Sequence, residues 1–259
     1  MVKKLSWVFD HGGLFKIACD AASRIDASPR SGNQGSALIS IVFSVLTVEA
    51  FVNELAEFAS STTLEKPSVI DVLAEFLMDA ERSNASLETK LAVSTWILSG
   101  KRFERGEQPF QDFALLVRLR NDVVHFKAND RFEEGEPTGS RHANLIAKFK
   151  DKKMLAEDAE ENEISSWSRL IKTKAVAQWS CLTAARMIMD FYDKIPVGDF
   201  RTCIVPSPEY YNPKVLFSES WGPRVGRKVK YHCDVCGWHS EWMSDNGSEP
   251  VHECRPVKI

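Results

Sequence analysis

The chain carries almost no net charge: 33 Lys and Arg against 36 Asp and Glu leave −3. No global basic field therefore announces a nucleic-acid partner, although a local basic site on a near-neutral molecule is compatible with one. Internal repeats and low-complexity tracts are absent. Apolar runs are short as well. The most apolar stretch, residues 37–48, is interrupted by Ser40, Ser44 and Thr47 and is about half the length a spanning helix needs. The opening Met1-Val2-Lys3-Lys4 meets Asp10 and the Gly12-Gly13 pair before any apolar run of signal-peptide length. These absences predict a cytoplasmic chain without a membrane segment. A hydrophobic content of 44% and a charged content of 27% are ordinary for a globular protein.

Helical periodicity dominates up to Pro196. The expected helices lie near residues 14–25 and 36–60, from Pro67 onward through Leu77, and near 86–99, 109–125, 142–155 and 164–194, and the turn-rich run 27–35 separates the first two. The helix at 36–60 is apolar on nearly every side in its first half, which predicts that other helices surround it. Glu49 and Asn53 alone put strong polarity into its middle, four apart and so on one face. Pro67 opens the next helix where proline is best tolerated, and Gly100 stops the one after it. The last helix is expected to run unbroken, with Trp167, Ile171, Ala175, Trp179, Leu182, Ala185 and Met189 inward. Two acidic runs, residues 130–139 and 157–163, read as solvated loops. After Pro196 the periodicity disappears and short extended pieces appear, placing a boundary near 200: a helical domain over 1–199 and a small module over 200–259.

Chemistry concentrates in the helix that follows Pro109. At about 100° per residue, Phe113, Leu116, Val117 and Val124 form its apolar stripe, with Arg120 in the middle. A guanidinium there cannot lose its proton and requires an anionic partner. Glu49 on the buried helix is the best candidate within the chain. His125 closes the same helix, aligned with Asn121 and Arg118 and about 140° from Arg120. Histidine changes charge near neutrality and is suited to moving protons.

The segment Arg120-Asn121-Asp122-Val123-Val124-His125 resembles the signature of the HEPN superfamily: an arginine, often followed by asparagine, with a histidine after a short spacer. Val48-Glu49-Ala50-Phe51-Val52-Asn53-Glu54 resembles the Glu-x-x-x-Asn helix of many relatives, and Gln108-Pro109-Phe110-Gln111-Asp112 the approach to the signature helix. The resemblance spans roughly residues 36–195. It implies a mainly α fold, a HEPN-like up-and-down helical bundle that forms a homodimer through the signature helices. The implied activity is metal-independent endoribonuclease cleavage, in which the ribose 2′-hydroxyl attacks the adjacent phosphate. Many bacterial relatives are toxins or phage-defence effectors, so an antitoxin or defence-system partner is implied too. The catalytic residues would be Arg120, His125 and Asn121, supported by Glu49, Asn53, Asp122 and Arg118. Some toxin relatives carry a modifiable tyrosine two residues after the histidine; Lys127 stands there, which disfavours that mode of control.

The six cysteines fall into two groups. Cys19, Cys181 and Cys203 are scattered, as buried thiols usually are. Cys233-Asp234-Val235-Cys236-Gly237 is a CxxC knuckle, and His252-Glu253-Cys254 follows it. Three thiolates and an imidazole suit tetrahedral, structural Zn²⁺, with His239 as an alternative to His252. The last 60 residues are accordingly expected to form a zinc-ribbon-like β module that metal binding helps to order. Arg224, Arg227, Lys228 and Lys230 precede the knuckle near Trp221, Tyr231 and Trp238, a basic and aromatic combination suited to RNA. Two functions follow from these features: the ribonuclease, with no metal in its chemistry, or a non-catalytic HEPN-like module that binds nucleotide or RNA, or scaffolds a partner.

Overall fold

Gly35–Ser61 dictates the arrangement of everything around it, because a helix apolar on nearly every side can be stable only when other elements cover it. A computed structural model of the chain describes residues 9–25, 35–62, 64–101, 106–125, 142–156, 167–205, 208–212 and 216–217, and the backbone of 228–233 and 238–243. We number its helices α1 (His11–Ser23), α2 (Gly35–Ser61), α3 (Ser68–Arg82), α4 (Leu87–Ser99), α5 (Phe110–Val124), α6 (Ala143–Asp151), α7 (Trp167–Leu170), α8 (Lys174–Lys194) and α9 (Asp199–Ile204). The described part is mainly α. α1, α3, α5 and α8 pack against α2, and Ile41, Val45, Val48, Phe51 and Leu55 are wholly buried.

By length and composition α2 is also long and apolar enough to cross a membrane, with mean hydropathy 2.0 over its most apolar stretch. That stretch is longer than residues 37–48 because Phe51, Val52 and Leu55 continue it. Here its covering is protein: the side chains just named pack into one core with Phe15 of α1, Leu73 of α3, Phe113 of α5 and Ile188 of α8.

Local signals set the helix ends. Ser86 accepts a hydrogen bond from the Thr89 N–H at 3.2 Å and begins α4. Gly100, at φ +67°, ends it in the left-handed conformation that glycine adopts without penalty. Pro67 immediately precedes α3.

The unbroken helix expected over 164–194 is two helices. Thr173 ends the run by capping α8: its hydroxyl accepts from the Val176 N–H at 3.1 Å and donates to the Met154 carbonyl at 2.6 Å. The interruption changes the helical phase. Trp167 and Ile171 are buried as expected, whereas Ala175 is exposed and Val176 and Ala177 face the core instead.

The compositional change near residue 200 marks a shift from long helices to short ones while the core continues. Phe200 of α9 stacks on Phe58 of α2, ring centroids 5.2 Å apart. Beyond it, Ile204, Val205, Tyr211 and Leu216 are buried in the same core. Further along, two strands, β1 (Lys228–Cys233) and β2 (Trp238–Met243), pair antiparallel. The loops 130–139 and 157–163 lie outside the described residues.

Candidate functional site

α5 packs against α2, and near its C-terminal end Arg120 is bonded to Glu49 of α2. Phe113, Leu116 and Leu119 are fully buried and hold the helix against the body. The apolar face is centred nearer Leu115–Leu119 than the stripe read from sequence: Val124 is 51% exposed and lies at the open end. Arg120 sits at the margin of the core, its side chain 23% exposed.

Its expected partner is the one found. Arg120 Nη2 donates to Glu49 Oε2 at 3.1 Å, joining α5 to α2 across 71 positions of sequence. Nη1 donates to Asn121 Oδ1 at 3.0 Å, so the asparagine engages the arginine rather than the imidazole. Arg120 Nε is buried without a hydrogen-bond partner among the described residues. Glu49 is partly exposed, so the pair sits at the edge of the core. Asn53, one turn along α2, is half-buried and no hydrogen bond joins it to Arg120 or Glu49.

His125 is exposed. It caps α5, with φ −104° and ψ 46°, and its N–H bonds the Asn121 carbonyl at 2.9 Å. Because its backbone has left the helical region, a helical plot no longer gives its side-chain direction. Arg118 and Asn121 are exposed on the same end of α5.

Asp122 points the other way. Its carboxylate, 13% exposed, lies 3.5 Å from Nε2 of the wholly buried His142, and that ring stacks on Trp167 at 4.2 Å, nearly parallel. The contact anchors the end of α5 to the start of α6 and to α7. His142 is a residue the sequence reading did not single out; only its place just before a short helix hinted at a role.

A second histidine was also missed. His11 Nδ1 hydrogen-bonds Glu54 Oε2. The other oxygen of Glu54 accepts the Asp10 and His11 backbone N–H groups at 2.7 and 3.1 Å. A carboxylate from α2 thus caps the start of α1, a favourable place for negative charge. Glu54 neighbours Asn53 in sequence, but this contact belongs to the α1–α2 interface.

Of the cysteine-rich segment, Cys233 closes β1 and is paired in register with Trp238, the first residue of β2. The rest of the CxxC motif falls in sequence between the two strands, outside the described residues, and His232 pairs in register with His239. Lys228 and Lys230 lie in β1. Cys236, His252, Cys254, Arg224, Arg227 and Lys127 lie outside the described residues. Among those described, no group of three or more His, Cys, Asp or Glu side chains is arranged to hold a metal ion. Comparisons of the chain with protein-family models, with characterised proteins and with solved structures find no match.

Proposed function

We propose that the chain is a metal-independent endoribonuclease of HEPN type, a cytoplasmic toxin or phage-defence effector that acts as a homodimer. The observation carrying this reading is Arg120: a guanidinium held by Glu49 and Asn121 at the open end of α5, five residues before an exposed His125. Arg120 is suited to bind the phosphate's non-bridging oxygens and the charge they gain in the transition state. His125 is suited to take the proton of the attacking 2′-hydroxyl, or to return one to the leaving 5′-oxygen. One imidazole cannot do both at once in a single step, so two copies of α5 facing one another supply the second. Products are a cyclic phosphate and a free 5′-hydroxyl. Glu49 positions Arg120, and Asp122, through His142, fixes the end of the helix. Arg118 and Asn53 would lie beside the RNA.

The hairpin that brackets the CxxC knuckle suits a structural zinc ion held by Cys233, Cys236, His252 and Cys254. Lys228 and Lys230, with Arg224 and Arg227, would give this module an RNA-facing edge. We propose that the module follows Leu216 and Phe217, which among the described residues still belong to the helical core. A second reading is favoured by one contact: Arg120 already has an anionic partner in Glu49, as a structural pair in a non-catalytic binding module would.

Incubation of the purified chain with RNA in excess chelator, beside His125→Ala, separates the two. The enzyme cleaves, and the variant loses about 10²- to 10⁴-fold of its rate while its stability changes by less than about 0.5 kcal/mol. Equal traces from both proteins, or cleavage that needs added Mg²⁺, reject the mechanism.

A further inference from the structure

Five lysines gather where α6 ends and α8 begins. Lys148 and Lys150 lie on the last turn of α6, and Lys153 follows its C-cap. Lys172 and Lys174 flank Thr173, the N-cap of α8. The two stretches touch: Thr173 Oγ1 donates to the Met154 carbonyl at 2.6 Å, and the Ala156 N–H donates to the Leu170 carbonyl at 3.2 Å. Lys172 is half-buried and the other four are exposed. Among the described residues none of the five enters an ion pair, whereas Lys152 between them is held by Asp112 at 3.1 Å. Residues 148–156 and 169–174 together hold seven Lys and Arg against the single acid Asp151, on a chain whose net charge is −3. A strong local positive field thus stands on a weakly acidic molecule.

Folding does not account for these positions. Cations suit the C-terminal end of α6, but Lys172 and Lys174 stand at the N-terminal end of α8, where the helix dipole disfavours positive charge. The first turn of α8 carries no acid to offset them. Lys153 has φ +54°, the left-handed conformation that glycine takes most readily after a helix. Like charges crowded on touching segments repel as well. Each of these arrangements costs stability, and a polyanion bound across the lysines would neutralise the charge that they concentrate.

We propose that this basic face docks the phosphate backbone of RNA at a distance from the cleavage segment, a role that rests on the reading of the chain as a ribonuclease. His142 contacts Asp122 and Lys152 contacts Asp112, so the stretch between them runs antiparallel to α5. That places the lysine end beside the start of α5, about 20 Å along its axis from His125 at roughly 1.5 Å per residue. A stacked strand advances about 3.4 Å per nucleotide, so the face meets RNA roughly six nucleotides from the scissile linkage. Lysines neutralise phosphates as point charges and read no bases. Docking is therefore independent of sequence, falls steeply with salt and leaves the choice of linkage to the groups around Arg120.

The test is performed on the full-length chain, with its acidic run 157–163 in place. Binding is measured with a fluorescent single-stranded RNA whose 2′-hydroxyls are methylated, so that it cannot be cleaved by 2′-hydroxyl attack. One variant carries Lys148→Gln, Lys150→Gln, Lys172→Gln and Lys174→Gln. Each phosphate contact contributes about 0.7 to the slope of log affinity against log salt, so the slope should become shallower by about 3 and affinity at about 0.1 M salt should fall roughly 10²- to 10³-fold. A second variant, Lys153→Gly, separates docking from folding. It relaxes the left-handed turn, so it should unfold at an equal or higher urea concentration while binding the RNA about fivefold more weakly. Unmodified RNA is tested for cleavage by the parent in parallel. Equal affinity and salt slope in parent and variants would overturn the docking site, and cleavage by the parent would still uphold the ribonuclease. Lysine-dependent binding without cleavage would support the site and reject the enzyme. Displacement of the RNA by polyglutamate at equal charge concentration would overturn the assignment to RNA, and a parent that binds no RNA would reject both readings.

Discussion

Arg120 and His125 are five residues apart, but their surroundings assign them separate tasks. Arg120 is a half-buried charge whose partner comes from another helix, so its position is only as good as Glu49 makes it. Replacing the carboxylate with the isosteric amide tests that dependence. Glu49 is partly exposed, and surface ion pairs contribute about 0–1 kcal/mol, so Glu49→Gln should barely move the unfolding curve. Cleavage should nevertheless fall roughly 10- to 100-fold, since a misplacement of about 1 Å costs that much in a positioned site. A variant as active as the parent would remove Glu49 from the site. This pair was legible in the sequence because an arginine in an apolar stripe must find an anion, and Glu49 lay in the middle of the most buried helix. His11 and His142 were not legible: each is satisfied by a carboxylate distant in sequence or by a stacked ring, and neither leaves a periodic trace. The hydrogen bond of Asn121 with Arg120 was not legible, because it depends on side-chain geometry.

Periodicity located the helices because each buries one face, but it could not register phase breaks that tertiary hydrogen bonds impose. The division between α7 and α8 is the clearest case. Thr173 can cap only because the Met154 carbonyl comes within reach of its hydroxyl, a contact across 19 residues that no window of sequence reveals. The region after Pro196 failed for a related reason. Its helical pieces are too short to show a period, yet Phe200 is buried and stacks on Phe58. Truncating a buried phenylalanine costs about 3–5 kcal/mol. Phe200→Ala should therefore lower the unfolding free energy by that amount, seen as a lower urea midpoint with the slope of the transition unchanged. A loss below about 1 kcal/mol would mean that α9 is not an integral part of the helical body.

Across the whole molecule, the proposed function divides the labour, with RNA cleavage in the helical body and metal binding at the C-terminal hairpin. If so, the two should separate under chelation. Elemental analysis should find one zinc per chain, and a strong chelator should remove it without changing the helical circular-dichroism signal or the cleavage rate. Loss of helical signal together with the metal would show that zinc supports the main core. Absence of zinc from protein purified under reducing conditions would leave the cysteine-rich segment without its proposed ligand.

Every step of the proposed chemistry begins with the ribose hydroxyl, so the most direct measurement removes it. An RNA oligonucleotide with a single mapped cleavage position is compared with the same oligonucleotide carrying 2′-deoxyribose there, in excess chelator and under single-turnover conditions. The account predicts that cleavage at that linkage disappears, while the unmodified RNA yields a 2′,3′-cyclic phosphate and a free 5′-hydroxyl. Undiminished cleavage at the 2′-deoxy position, or products carrying a 5′-phosphate, would contradict it.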